Sequence, residues 1–149
     1  MRRPAKITAI AFGVFVFLGI SALLAKALSG AGNERAEVLL VLEAQARGDV
    51  DEVLDRLDAC RRQPVCVRLT RARVEKLKRP GRVQIVRYDP SIQVALTRQA
   101  GTARVVWRTT EERFPVVQCV RVRREGPLSG GRSDLLALTD PVGLQGSCS

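Results

Sequence analysis

The hydrophobic pattern changes character twice along the chain. Residues 7–25 (ITAIAFGVFVFLGISALLA) run 19 positions without a charge and are apolar on every helical face. At 1.5 Å per residue such a helix reaches about 28 Å, close to the thickness of a bilayer's hydrocarbon core. Residues 28–33 (LSGAGN) then read as a short flexible joint, because Gly30 and Gly32 weaken a helix.

Beyond it the period is 3.6. Residues 34–47 are rich in helix formers, and Gly48 suits the position just past a helix end. Asp49 is placed to cap the next helix, with Glu52 three residues on. Val50, Val53, Leu54 and Leu57 follow the spacing of one buried helical face. Residues 67–78 form a third, basic helix or turn, ended by Pro80-Gly81.

From residue 82 the period is two. Residues 82–88 predict a strand stopped by Asp89-Pro90. Residues 91–97 and 102–109 predict a hairpin turning at 98–101, residues 114–124 the longest strand, 126–131 a loop and 134–139 a last strand. Ile92, Val94 and Leu96 alternate with polar or small residues, as do Ala103, Val105 and Trp107 with Arg104, Val106 and Arg108. Residues 82–88 carry apolar side chains at both parities, as expected of a central strand or of a strand whose assigned register is off.

Helices first and strands afterwards make an α+β domain: two or three helices on one face of a curved, mainly antiparallel sheet of four to five strands. Leu54, Leu57, Leu96, Val105, Trp107 and Val120 are expected to share its core. The organisation reads as a basic tail at 1–6, a transmembrane anchor at 7–27, a linker at 28–33, the domain at 34–140 and a Pro/Gly/Ser tail at 141–149.

Charge orients the anchor. Arg2, Arg3 and Lys6 precede the apolar run, which puts the N-terminus in the cytoplasm and the domain outside. A cleaved signal peptide is the alternative. Ala25-Lys26-Ala27 has the small-x-small form, but it contains a lysine, and the apolar run exceeds the usual length of a signal core. All four cysteines (Cys60, Cys66, Cys119, Cys148) follow the anchor, as an oxidising compartment suits. Of three open pairings, Cys60–Cys66 across the turn at Pro64 and Cys119–Cys148 from strand to tail are expected. Zinc is disfavoured by the spacing and by the absence of histidine, and no cofactor is expected.

Residues 43–54 (EAQARGDVDEVL), with a glycine ending one helix and an aspartate capping the next, resemble the passage between the first two helices of cystatin-like domains. The superfamily is the nuclear transport factor two-like, or SnoaL-like, one. Membrane-anchored proteins of that superfamily, such as the Mce-associated membrane proteins, resemble this chain in carrying one N-terminal span. The resemblance implies a cone between helices and sheet, where enzymatic relatives hold an Asp or His base, often with a Tyr. This chain has no histidine, Tyr88 is its only tyrosine, and Asp89 and Asp134 lie at strand ends. No catalytic residue is carried over.

The two halves of the domain differ in charge. Residues 34–59 hold eight acids against Arg35, Arg47 and Arg56, a net of −5, whereas residues 60–149 hold 18 cations and seven acids, a net of +11. Arg104, Arg108, Arg121 and Arg123 alternate with apolar positions and are expected on the outer sheet face, within about 10 Å of one another. That face suits an anionic partner: an envelope protein, an anionic lipid or a cell-wall polymer. With six aromatic residues, three of them in the anchor, little remains for stacking bases, and nucleic acid is not expected as a partner. The function expected is a non-catalytic, membrane-anchored interaction module accessory to a cell-envelope complex. A small-molecule-binding or enzymatic domain using the cone is the alternative.

Overall fold

The computed structural model describes residues 3–91, 97–126 and 132–148. Helix α1 (Arg3–Arg47) is continuous over 45 residues. Residues 28–33 therefore continue the helix and do not form the joint expected of them. A glycine in a helix costs only about 1 kcal/mol relative to alanine, which the flanking helix formers offset. Within α1, Ile7–Lys26 is long and apolar enough to cross a membrane, and none of that window is covered by the rest of the fold. Phe15 is 76% exposed. From Glu34 onward the same helix enters the domain, where Val38, Val41, Leu42 and Gln45 are fully buried.

Gly48 ends α1 at φ +80. The amides of Gly48 and Asp49 close back on the carbonyls of Gln45 and Ala44 at 3.0 and 2.9 Å. A side chain at 48 would be strained by that φ, and its Cβ would meet the Lys78 side chain at 2.9 Å. The Asp49 carboxylate then accepts from the Glu52 amide at 3.0 Å and starts α2 (Val50–Arg56), as its sequence predicts. The Glu52 side chain pairs with Arg47 and Arg56. Helices α3 (Asp58–Arg61) and α4 (Pro64–Leu77) follow.

The sheet is an antiparallel meander, β1 (Val83–Asp89), β2 (Gln99–Thr109), β3 (Val116–Arg124) and β4 (Ser133–Leu138), in that spatial order. Together with the helices this is the expected α+β arrangement. Three strand details differ from expectation. The longest strand is β2, not β3, and Gln99–Gly101 lie inside it, paired with Arg124, Arg123 and Val122, where a turn was expected. The expected strand residues 92–96, Leu96 among them, lie outside the described residues. The double parity of residues 82–88 comes from a break in register between Ile85 and Arg87, which turns Val86 out, 58% exposed. β1 is an edge strand, and such irregularities are common at edges.

Leu54, Leu57, Val105, Trp107 and Val120 share one core with Val38, Leu42, Val53 and Val74. Cys60–Cys66 and Cys119–Cys148 are bonded, with Cα separations of 5.3 and 5.6 Å. The second bond makes the C-terminal segment part of the fold. Val142 bridges to Val117, its amide 2.8 Å from the Val117 carbonyl. The Arg73 guanidinium holds this segment from below, bonding the Leu138 carbonyl at 2.6 Å and Asp140 at 3.0 Å. Its hydrogen bond keeps the Asp140 carboxyl below the usual carboxylate range.

Candidate functional site

The centre of the space between α1 and the inner face of the sheet is occupied. Gln118 of β3 accepts from Trp107 Nε1 at 2.7 Å and from Gln45 Nε2 at 3.0 Å. Its own Nε2 donates to Gln45 Oε1 at 3.3 Å and to the Thr139 carbonyl at 3.0 Å. Trp107, Gln45 and Gln118 are all fully buried. Amide groups in a core are tolerated when each donor and acceptor is paired, and here one amide joins the long helix, two strands and the C-terminal segment.

A second polar cluster closes the end of the domain nearest the apolar stretch of α1. The Glu34 carboxylate accepts from Arg124, from the Tyr88 hydroxyl, and from the Ser91 amide and hydroxyl at 3.1 and 3.0 Å. The side chains of Arg124 and Glu34 are 3% and 0% exposed. Burial, then the hydrogen bond and charge of Glu34, push the Tyr88 hydroxyl pKa well above the ordinary tyrosine value. This tyrosine is thus a donor to a structural carboxylate.

The outer face of the sheet departs from expectation. Arg104, Arg108, Arg121 and Arg123 do share it, but they do not form one cluster. Arg121 stands opposite Thr102 and Arg123 opposite Ala100, so Arg108 lies eight residues along β2 from the level of Arg123. At about 3.3 Å per residue that is roughly 26 Å, far beyond the 10 Å expected. Arg104 is not free either. Its guanidinium donates to the carbonyls of Leu144 and Gly146 at 2.6 and 3.1 Å and lies 3.7 Å from Asp89. The segment tethered by Cys119–Cys148 crosses the sheet there and covers it. Arg108, Arg121 and Arg123 remain exposed, and no carboxylate lies within ion-pair distance of any of them among the described residues.

A denser basic surface lies on the helices. Residues 61–79 carry Arg61, Arg62, Arg68, Arg71, Arg73, Lys76, Lys78 and Arg79 against one acid, Glu75. Arg61, Arg62, Arg68 and Arg71 line a groove with Pro64 and Val67, at the turn closed by Cys60–Cys66. The charge run was visible in the sequence as a basic helix; its convergence on the turn was not. Arg73, in the same run, is buried and consumed by Leu138 and Asp140.

No family model, no curated protein and no solved structure matches this chain. All four cysteine sulfurs are consumed by disulfides, which removes them as metal ligands.

Proposed function

We propose that this protein is a membrane-anchored, extracytoplasmic interaction module that acts by binding and not by catalysis. It meets an anionic partner through arginines on its surface, as an accessory of a cell-envelope complex. The observation that carries this reading is the contrast between interior and surface. Trp107, Gln118 and Gln45 fill the centre of the space between helix and sheet, while Arg68, Arg71, Arg108, Arg121 and Arg123 are exposed and unpaired among the described residues. The cations that precede the apolar helix support a cytoplasmic N-terminus, and the two disulfides support an oxidising compartment for the domain. The fold relationship to cystatin-like domains and to the Mce-associated membrane proteins is part of the same proposal, resting on residues 43–54 and on the order of anchor, helices and sheet.

The test uses the full chain in neutral-lipid nanodiscs, titrated with polyphosphate and with polyglutamate. Binding should be strong at low salt and weaken steeply towards physiological salt, where the Debye length shrinks to about 8 Å. Absence of binding to either polyanion at low salt would sink the reading. Protease added to intact spheroplasts should remove the domain, and full protection would reverse the topology.

A further inference from the structure

We propose that the groove at the turn between α3 and α4 is a docking site for an acidic peptide segment of a partner protein, one in which carboxylate and aliphatic side chains alternate. This rests on the interaction-module reading above and gives it a site and a class of partner.

The local sequence sets the charge. Residues 61–71 hold Arg61, Arg62, Arg68 and Arg71 and no acid. Helix α4 buries Thr70, Arg73, Val74 and Leu77. Pro64, Arg68 and Arg71, at spacings of four and three, share another side of the helix and are exposed. With Arg61, Arg62 and the half-buried Val67 they line a groove of about 330 Å³.

These guanidinium groups are open to a carboxylate. Arg68 and Arg71 form no ion pair among the described residues. Arg61 pairs with Asp55 and Arg62 with Asp58, with every one of these side chains more than half exposed. Exposed pairs contribute little, so an incoming carboxylate can replace either acid with little loss. The planar guanidinium fork then donates two parallel hydrogen bonds to it.

Apolar contacts decide between a peptide and a phosphate polymer. Val65 and Leu69 form a stripe beside the arginines and are 59% and 51% exposed. Four residues apart, they are separated by about 6 Å along the helix axis. In an extended chain alternate side chains recur at about 7 Å, and the intervening ones point the other way. A peptide laid along α4 between the two stripes thus sets aliphatic side chains against Val65 and Leu69 and carboxylates against Arg68 and Arg71. A phosphate polymer has nothing to set against the aliphatic stripe.

The site is also rigid. The Cys60–Cys66 bond closes the turn, and Cys60 Sγ lies 3.3 Å from Thr70 Oγ1, so little chain freedom is lost on docking.

The experiment titrates the full chain in neutral-lipid nanodiscs with three labelled probes of equal charge: a short peptide alternating glutamate and leucine, a glutamate peptide and a polyphosphate. Fluorescence anisotropy reads the affinity. The alternating peptide should bind tightest, and less well as salt rises. Replacing Arg68 and Arg71 together by glutamine should weaken it about tenfold. Val65→Gln with Leu69→Gln should abolish its advantage over the glutamate peptide and leave the glutamate peptide's own binding in place. The melting temperature should hold in both double variants, because all four side chains are exposed. The sheet variant Arg108→Gln/Arg121→Gln/Arg123→Gln should weaken the alternating peptide less than the groove pair does. The reverse order would move the site to the sheet and overturn this inference, while the interaction-module reading stands. Tightest binding of polyphosphate, lost with Arg68 and Arg71, would make the partner a phosphate polymer and overturn the peptide assignment alone. Silence from all three probes at low salt would overturn both.

Discussion

Replacing Gln118 by leucine isolates the buried amide network with little change of volume. The substitution removes the acceptor of Trp107 Nε1–H and of Gln45 Nε2, and the donor to Gln45 Oε1 and the Thr139 carbonyl. Trp107 and Gln45 are fully buried, so water cannot replace the lost partner without opening the core. An orphaned buried donor or acceptor costs about 1–3 kcal/mol. Two to three such groups, less about 1 kcal/mol recovered from the added apolar contact, leave a loss of roughly 3–5 kcal/mol. That is a large fraction of the ~5–15 kcal/mol by which domains are stable, and corresponds to a drop of about 10 °C or more in melting temperature. The assay is thermal unfolding of the full chain in detergent micelles, followed by near-ultraviolet circular dichroism of Trp107. Changing Gln45 to leucine as well removes one of the orphaned partners, so the double variant should be more stable than the sum of the single losses by about 1–3 kcal/mol. If Gln118→Leu melts within about 2 °C of wild type, the network is not closed and the space between helix and sheet is open to solvent.

Stability should also depend on alkaline pH through Tyr88. An unfolded tyrosine ionises near pH 10, and in the native state Tyr88 holds its proton to higher pH. Its contribution is therefore complete below about pH 10 and is lost as pH rises from there through the native value. Urea melts at pH 8 and 11 should show this loss in wild type and a flatter profile in Tyr88→Phe, which sacrifices the bond to Glu34 at both; parallel profiles would contradict it. Replacing Cys119 and Cys148 by serine opens a loop with a sequence separation of 29, worth about 3–4 kcal/mol in the chain-entropy model. It should also release the segment over Arg104. Mass spectrometry after phenylglyoxal treatment should then find Arg104 modified, and an unreactive Arg104 would show that the segment stays in place without its disulfide.

Local chemistry was legible in the sequence. The uniformly apolar run, the cap at Asp49, the left-handed glycine at 48, the switch to strand period and both cysteine pairings each depend on a few neighbouring residues or on short chain reach. The inner-face residues Val105, Trp107 and Val120 followed from parity alone, because one step along a strand changes the face. What the tertiary structure decided was register, continuity and cover. Parity placed four arginines on one face, but only the pairing of β2 with β3 set Arg108 and Arg123 far apart. Only the packed position of the C-terminal segment hid Arg104. The helix crossed Gly30 and Gly32 because the strong helix formers on either side outweigh two small local penalties. Gln45 and Gln118, 73 residues apart, carry no mark in the sequence that they meet. A buried amide looks like any surface glutamine until the fold takes away its water.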